Sequence, residues 1–242
     1  QLRRLQRIRR LLDRGLRPGK LLPLDDDALD ELEASLKNAA LPQADKAISG
    51  MLDAVRSADA AQIEDLLRRL YQQQGMKKFI NTTVVPLLDA VGSQWASGEL
   101  QVYQEHFLSE QLNRLLNAEI AVMQKSAKKP LVLLATLPGE EHTLGLLMVA
   151  AMLSAHGIAI INLGGEVPMD QIVRAAQQFN VDIVGVTFSG AYQYKNIRPH
   201  LVELRMQIPE DIDIWTGGEG VHRMRKLPAG ITRFRSLEHL PL

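Results

Sequence analysis

From Lys128 onward the chain alternates short apolar runs with segments of helical spacing, and this alternation constrains the fold more than any other feature. Segments such as Leu144–His156 and Met169–Phe179 have the helical spacing. Strands that alternate with helices form a parallel, doubly wound sheet with right-handed crossovers. Residues 128–242 are therefore predicted to be a Rossmann-like (flavodoxin-like) α/β domain with a parallel five-stranded sheet. Its predicted strands are Leu131–Thr136, Ala159–Leu163, Ile183–Phe188, Ile212–Thr216 and Ile231–Arg235.

Residues 41–126 differ from this domain because their apolar residues recur at helical spacing throughout. Short connections between the periodic segments predict that consecutive helices pack antiparallel as an all-α four-helix bundle. Pro86 is expected to start or kink the third helix. Lys125–Pro130 is the predicted linker to the sheet. The predicted connections inside the bundle are Ser57–Asp59, Gln74-Gly75 and Ala96–Gly98.

The composition excludes several classes of function. Lys and Arg number 28 and so do Asp and Glu, so the chain as a whole has no net charge to attract DNA or a membrane. The absence of cysteine excludes disulfides, thiolate metal sites and thiol catalysis. No apolar run is long enough to span a bilayer and no signal peptide is recognisable, so we expect a cytoplasmic protein. No nucleophile–base pair or carboxylate dyad stands out, and we do not expect an enzyme.

The overall charge balance conceals a basic N-terminal segment. Residues 1–20 contain eight Lys and Arg against one acid, Asp13, with leucines at helical spacing, which predicts a basic helix. Gly15 is expected to end that helix, and Pro18-Gly19 to form the turn after it. Candidate N-caps of a second helix are Asp25, Asp26 and Asp27.

The segment with the most chemical content is Glu140–Gly145, which has the form E-x-H-x-x-G and follows the first predicted strand. A loop that leaves a buried strand lies at the edge where open α/β sheets bind ligands. Glu140 can accept the Nδ1 proton of His142, which leaves Nε2 free for a metal. Gly145 allows backbone or cofactor to come close. Alone the motif is weak, since a histidine after a strand is more often a hydrogen-bonded loop residue.

Two further elements follow later strands. Thr187-Phe188-Ser189 ends the third strand, and 41 residues separate Thr187 from Gly145. Another 27 residues lead from Ser189 to Gly217-Gly218, at the end of the fourth strand. Singly, Thr187 is explained as a β-branched strand residue and the glycines as a turn. Together, the three elements lie along one edge of the predicted sheet and indicate a single ligand site.

This arrangement resembles the cobalamin-binding domain shared by methionine synthase, the corrinoid-dependent mutases and cobalamin-sensing regulators. The resemblance implies that cobalamin binds with His142 as the lower axial ligand of cobalt and with Glu140 as the partner of its imidazole. It implies that the dimethylbenzimidazole tail enters a slot lined by Thr187 and Ser189, with room for its ribose and phosphate at Gly217-Gly218. Thr187 and Ser189 stand where that family usually has Ser and Leu. A threonine hydroxyl can make the same hydrogen bond, whereas Ser189 removes apolar packing and predicts weaker binding of the tail.

Trp95, nine intervening residues and Glu105-His106 are similar to the W-x9-EH motif of light-sensing MerR-family regulators of the CarH and LitR type. That resemblance implies that Trp95 packs on the 5′-deoxyadenosyl group of adenosylcobalamin and that Glu105 contacts the same group. His106 would become the upper cobalt ligand once light has removed the 5′-deoxyadenosyl group. The alternative is that Trp95 belongs to the bundle core and that Glu105-His106 is a solvated helix start.

Residues 1–38 resemble the last two helices of a MerR-type winged-helix DNA-binding domain, through the segment QLRRLQRIRRLLDRGLRPGKLLPLDDDALDEL. The recognition helix and the wing, which would contact the DNA groove, are absent from the sequence. The chain also begins with Gln1 rather than Met, so we expect a trimmed version of a longer protein. The alternative is a helical arm used for dimerisation.

Together these resemblances imply an adenosylcobalamin-dependent photoreceptor that regulates transcription. The expected protein is a homo-oligomer, a dimer or a tetramer, that binds DNA through the missing N-terminal part. Photolysis of the Co–C bond would change the packing of the bundle, the oligomeric state and DNA binding. Two alternatives remain: a corrinoid carrier protein of a methyltransferase system, and a regulator that senses cobalamin without light.

Overall fold

The computed structural model describes residues 24–25, 28–29 and 43–234. It divides into two compact units, Gln1–Ser49 and Gly50–Leu242. In the first unit, Oδ1 of Asp25 accepts a hydrogen bond from the backbone N–H of Ala28 at 2.8 Å, which confirms Asp25 as an N-cap. The basic segment 1–20 and the predicted boundaries at residues 38 and 41 lie outside the described residues.

Four α-helices between Gln43 and Met123 precede the sheet, which confirms the predicted bundle. They are α1 (Gln43–Ser57), α2 (Ala60–Phe79), α3 (Val85–Ser97) and α4 (Val102–Met123). Asp59 caps α2 by accepting a hydrogen bond from Gln62 N, and Gly98 ends α3 in the left-handed conformation with φ of 78°. Apolar side chains at helical spacing form the core of the second unit's helices: Met51, Val55, Ile63, Leu67, Phe79, Val84, Leu87, Val91, Leu108, Leu112 and Leu116.

The predicted connection at Gln74-Gly75 is a kink of one residue. Gly75 has φ of 68° and ψ of 164°, and the helix resumes immediately after it. A π-helical turn, Ile80–Val84, then joins α2 to α3. Pro86 lies in the first turn of α3 and starts that helix, as expected. Because proline has no N–H to give to the carbonyl four residues earlier, the helix widens just before it, and Val85 N bonds Ile80 O instead.

Five parallel strands form one sheet, which confirms the doubly wound prediction. They are β1 (Lys128–Ala135), β2 (Ile158–Gly164), β3 (Ile183–Thr187), β4 (Asp213–Gly217) and β5 (Ile231–Arg233), in the order β2-β1-β3-β4-β5. The connecting helices are α5 (Thr143–Ala155), α6 (Met169–Gln178), α7 (Tyr194–Gln207) and α8 (Glu219–His222). No helix in the described part of the chain is long and apolar enough to span a membrane.

The sheet separates two apolar layers. Right-handed crossovers with this strand order place α5 on one face and α6, α7 and α8 on the other. The layer on the side of α6, α7 and α8 is built from Leu133, Ala135, Val184, Val186 and Ile214 of the sheet, packed on Ile172, Ala176, Ile197, Leu201, Leu204 and Val221 of the helices. Because side chains alternate between the two faces along a strand, the strand residues between those of this layer face α5: Gly185, Thr187, Trp215 and Gly217.

The junction between bundle and sheet is shorter than predicted. Lys125–Pro130 was expected to be a linker, but a 3-10 turn covers Gln124–Ser126 and β1 begins at Lys128. The prediction was wrong in extent because Lys128 N donates to Gly157 O at 2.8 Å and joins the sheet. The side chain of Gln124 reinforces the junction, since its Nε2 donates to Ile158 O at 2.9 Å.

Helices α4 and α5 pack against each other. Their C-terminal ends meet where Gln124 Nε2 donates to Ser154 Oγ at 2.8 Å. α4 has 22 residues and α5 has 13. Since an α-helix rises about 1.5 Å per residue, α4 is roughly 14 Å longer than α5.

Candidate functional site

The E-x-H-x-x-G segment lies at the point where the strand order reverses. His142 follows β1 and immediately precedes α5, and Ser189 follows β3. β1 and β3 are neighbours, and their connections leave toward opposite sides. In sheets with this strand order, ligands bind in the crevice at this switch point. The sheet therefore places His142 and Ser189 at the position where such folds bind ligands.

Glu140 is the centre of a hydrogen-bond network at this crevice. Its Oε1 accepts from Nδ1 of His142 at 2.8 Å, from N of His142 at 3.0 Å and from Oγ of Ser189 at 3.0 Å. Its Oε2 accepts from N of Ser189 at 2.6 Å. Only 1 % of Glu140 is exposed, and these four donors compensate for burying its carboxylate.

This network orients the imidazole of His142. When Nδ1 donates to Glu140, Nε2 carries the lone pair that can ligate a metal. The side chain of His142 is 62 % exposed, so the ring is accessible while the carboxylate behind it is buried. The geometry is the one expected from the spacing of Glu140 and His142 in the sequence.

Ser189 has a contact that the sequence analysis did not anticipate. It was expected to line a slot for the nucleotide tail, but in the structure both its N–H and its hydroxyl bond Glu140. Its Oγ also accepts from Ala191 N at 3.2 Å, which leaves its proton for the carboxylate. The link spans 49 residues, and no local pattern in the sequence indicates it.

The available donors limit what kind of metal group could bind here. Within the described residues, no group of three or more His, Cys, Asp or Glu side chains could hold a metal ion. One imidazole cannot retain a bare ion, because protein sites for free ions use several ligands. The arrangement at His142 therefore suits a metal whose other coordination positions are occupied by a cofactor, as a corrin ring occupies those of cobalt.

Gly145 has open space beside it. A Cβ at this position would meet no atom of the chain within 4 Å, so internal packing does not require glycine. Glycine in a helix destabilises it by roughly 0.5–1 kcal/mol relative to alanine. A group from outside the chain that approaches the first turn of α5 would account for the glycine.

The other two predicted elements lie side by side on the face of the sheet covered by α5. Thr187 of β3 pairs with Gly217 of β4, and Thr187 is buried. The ring of Phe234 occupies the place of a Cβ at Gly217, and the carbonyl of Phe188 occupies that place at Gly218. Backbone packing and a φ of 94° thus require glycine at position 218, whereas at Gly217 the expected room for a ribose and phosphate is filled by the ring of Phe234. The slot itself stays a prediction.

A second acid–histidine pair lies at the start of α4. Nδ1 of His106 is 3.0 Å from Oε2 of Glu105, whose Oε1 accepts from Ser109 Oγ at 2.9 Å. His106 is 73 % exposed. As at His142, a carboxylate that accepts a hydrogen bond from Nδ1–H leaves the lone pair of Nε2 available to a metal. The helix start is held by a hydrogen bond from Gln101 N to Oε1 of Gln104 at 2.8 Å, which the sequence analysis did not predict.

Trp95 lies in the last turn of α3, at the end of the bundle that also contains the start of α4. It is 53 % exposed, which is not the environment of a core tryptophan. Its neighbour Gln94 accepts a hydrogen bond from Arg56 at 3.1 Å, and Gln104 donates to the Arg56 carbonyl at 2.8 Å. The ends of α1 and α3 and the start of α4 are therefore fastened together. Trp95, Glu105 and His106 therefore lie at one end of the bundle.

The comparisons with known proteins match both the sheet domain and the bundle. Residues 130–231 match a family described as the B12 binding domain, and residues 47–118 match a second family with the same description. Both parts of the chain are therefore similar to B12 binding domains. The two matches correspond to the sheet domain and to most of the helical bundle.

Three similar proteins illustrate the range of what the chain resembles. The HTH-type transcriptional repressor CarH of Myxococcus xanthus is 29 % identical over 88 % of this chain and 73 % of its own length. A corrinoid protein of Desulfitobacterium hafniense is 26 % identical over 58 % of this chain and 69 % of its own. The structure of the Methanosarcina barkeri monomethylamine corrinoid protein matches with a TM-score of 0.60 and 18 % identity, over 78 % of this chain and 92 % of that one. This last likeness concerns the fold alone.

Proposed function

We propose that this chain is the sensory part of an adenosylcobalamin-dependent photoreceptor that regulates transcription. Photolysis of the cofactor's Co–C bond is the chemistry that the bound group would supply. The change would be transmitted to the packing of the bundle, to the oligomeric state of a dimer or tetramer, and to DNA binding by an N-terminal domain. The observation that carries this proposal is the presence of two acid–histidine pairs, Glu140–His142 in the sheet domain and Glu105–His106 in the bundle, each with an exposed imidazole.

The lower pair supports a role in holding the cofactor. His142 would be the lower axial cobalt ligand, with Glu140 and Ser189 fixing its tautomer and orientation. Gly145 would leave room for the corrin beside α5. Thr187, Gly217 and Gly218 are the residues that we assign to the nucleotide tail, and Phe234 would have to move for the tail to enter.

The upper pair supports a role in signalling. Trp95 is an exposed tryptophan at the bundle end, where it would cover the adenosyl group, and Glu105 would contact that group. His106 has the carboxylate partner that a ligating imidazole needs, and it would become the upper cobalt ligand after illumination. A carrier protein would have no need for this second pair, and the name of the Myxococcus xanthus relative is that of a repressor.

The proposal is tested by illuminating the purified chain with green light after it has bound adenosylcobalamin in the dark. We expect the absorption spectrum to change irreversibly and the elution volume in size-exclusion chromatography to shift. Replacing His106 by alanine should leave dark binding intact and destabilise the illuminated complex. An unchanged spectrum and elution volume after illumination would refute the photoreceptor function.

The lower ligand is tested separately in the dark. His142→Ala should abolish the spectrum of histidine-ligated cobalamin. His222→Ala is the matched control, because His222 is exposed on α8 and is not part of the network. Retention of the histidine-ligated spectrum by His142→Ala would contradict the assignment.

A corrinoid carrier of a methyltransferase system is the second candidate. It is favoured by the likeness in fold to the Methanosarcina barkeri monomethylamine corrinoid protein, most of whose length is matched. Tighter binding of methylcobalamin than of adenosylcobalamin would support this candidate. A third candidate, a regulator that senses cobalamin itself, would assemble on adding the ligand in constant darkness.

A further inference from the structure

Tyr192 lies beneath the loop that carries the E-x-H-x-x-G motif. Its side chain is buried, with 7 % exposure, and its ring packs on Phe188 at a centroid distance of 5.0 Å. The hydroxyl lies 3.3 Å from the carbonyl oxygen of Pro138 and 2.7 Å from Nδ1 of His200 on α7. A buried phenol hydroxyl thus connects the second residue before Glu140 to a histidine on a neighbouring helix.

The single proton of the phenol makes these two contacts depend on each other. When Nδ1 of His200 carries a proton, it donates to the phenol oxygen, and Tyr192 can then donate to Pro138 O. When Nδ1 of His200 is unprotonated, the phenol donates to His200 and Pro138 O loses its donor. His200 therefore determines whether Tyr192 holds the loop.

The segment 189–192, which ends at Tyr192, is hydrogen-bonded to Glu140 through its first residue, Ser189. Tyr192 N donates to Ser189 O at 3.4 Å, and Ser189 binds the Glu140 carboxylate through its N–H and its hydroxyl. Burial, and secondarily the charge of Glu140, raises the pKa of Tyr192, so the phenol keeps the proton that it needs as a donor. The segment 189–192 thus has a contact to Glu140 at one end and to Pro138 at the other.

We propose that Tyr192 and His200 are positioning residues that hold the loop of His142 in its ligating orientation. Tyr192 fixes Pro138 through its hydroxyl, and His200 fixes the direction of that hydroxyl. Neither residue contacts His142, so both act through the loop and through Glu140. The proposal rests on the proposed role of His142 as the lower cobalt ligand.

The test compares Tyr192→Phe with Tyr194→Phe in the full chain. Tyr192→Phe keeps the ring on Phe188 and removes only the hydroxyl. Tyr194→Phe is the matched control, because Tyr194 lies two residues later, is exposed, and donates to Arg223 O at 3.4 Å, away from the loop. Nitrogen-15 NMR of the cofactor-free proteins measures the tautomer of His142, and titration with hydroxocobalamin in the dark measures affinity and the histidine-ligated fraction.

We expect Tyr192→Phe to reduce the Nδ1-protonated fraction of His142 and to weaken cobalamin binding about three- to tenfold, as for the loss of one hydrogen bond. Tyr194→Phe should leave both quantities unchanged. At the second position, His200→Gln should preserve both, because its amide N–H can donate to the phenol oxygen. His200→Glu places an acceptor-only carboxylate beside the phenol, draws its proton away from Pro138 O, and should behave like Tyr192→Phe.

A Tyr192→Phe protein with wild-type tautomer and affinity would overturn the proposal, even if its melting temperature were lower, because the role would then be structural only. Equal effects of His200→Gln and His200→Glu would overturn the part assigned to His200. If the wild-type chain failed to bind cobalamin, the proposed function would fall, and the NMR measurement alone would decide whether Tyr192 positions His142.

Discussion

Replacing Glu140 by glutamine is the sharpest perturbation of the site, because it keeps the size of the side chain and removes the charge. The carboxylate accepts four hydrogen bonds, two from His142 and two from Ser189. An amide has one acceptor oxygen, and its NH2 group must face one of these donors. If the NH2 group takes the place of Oε2, the 2.6 Å bond from Ser189 N is lost and two donors oppose each other.

The expected magnitude follows from these contacts. A hydrogen bond to a charged group contributes about 1.5–3 kcal/mol, and the three remaining bonds weaken because their acceptor becomes neutral. Relief from burying the Glu140 carboxylate offsets part of the loss. We expect the free energy of unfolding to fall by about 2 kcal/mol. Cobalamin affinity should fall about 10- to 100-fold, the range for losing a partner of a metal-ligating histidine.

Urea denaturation at neutral pH measures the first quantity, and a titration with hydroxocobalamin followed by absorbance measures the second. Glu141→Gln is the matched control, because Glu141 carries the same charge one residue later and is exposed. It should change neither quantity appreciably. Wild-type cobalamin affinity in Glu140→Gln would refute the reasoning that this carboxylate sets the state of His142, whatever happens to stability.

Three other substitutions separate the contributions within the domain. Gly145→Ala should stabilise the cofactor-free chain by about 0.5 kcal/mol and weaken cobalamin binding, both measurable in the same two assays; tighter binding would contradict the role of the open space. Ser189→Ala keeps the backbone donor to Glu140 and should cost about 1 kcal/mol of stability with a several-fold loss of affinity, and an unchanged affinity would limit Ser189 to a structural role. The hydrogen bond from Leu131 N, 2.6 Å from Oδ2 of Asp182, lowers the pKa of Asp182, with Lys129 adding to the effect against the opposing effect of burial. Because the folded-state pKa is the lower one, the stabilisation is present above the unfolded-state pKa near 4 and is lost as the pH falls through the folded value. Urea unfolding of wild type and Asp182→Asn across acid pH should therefore show a stability difference that shrinks below about pH 4, and a constant difference would count against this account.

Most of the fold was predictable because its signals are local and repeated. The strand at Leu131–Thr136 was detected as an apolar run, and the bundle helices as apolar residues at helical spacing. The errors occurred where distant contacts decide the backbone. β1 begins earlier than predicted because Lys128 bonds Gly157, and the π-helical turn Ile80–Val84 is visible only once the missing N–H of Pro86 is placed in a helix.

The residues of the site likewise fall into those that local sequence predicted and those that only the folded structure decided. Glu140 and His142 are two residues apart, so the sequence alone predicted both the hydrogen bond between them and the nitrogen left free. The spacing of Trp95 and Glu105-His106 likewise identified the second pair before its geometry was known. The alternative that Trp95 is a core residue could be decided only by its exposure in the folded bundle.

The sequence by itself thus determined the class of fold and the acid–histidine pairs, because each depends on residues close together in the chain. It also showed the resemblance to cobalamin proteins, because that depends on short motifs at fixed spacing. Only the tertiary structure decided which groups surround these pairs. Ser189 reaches Glu140 across 49 residues, and Tyr192 and His200 meet beneath the loop, because parallel strands bring the ends of β1 and β3 together at one edge. The order of strands in a sheet depends on packing over the whole domain, and no short segment of the sequence contains it.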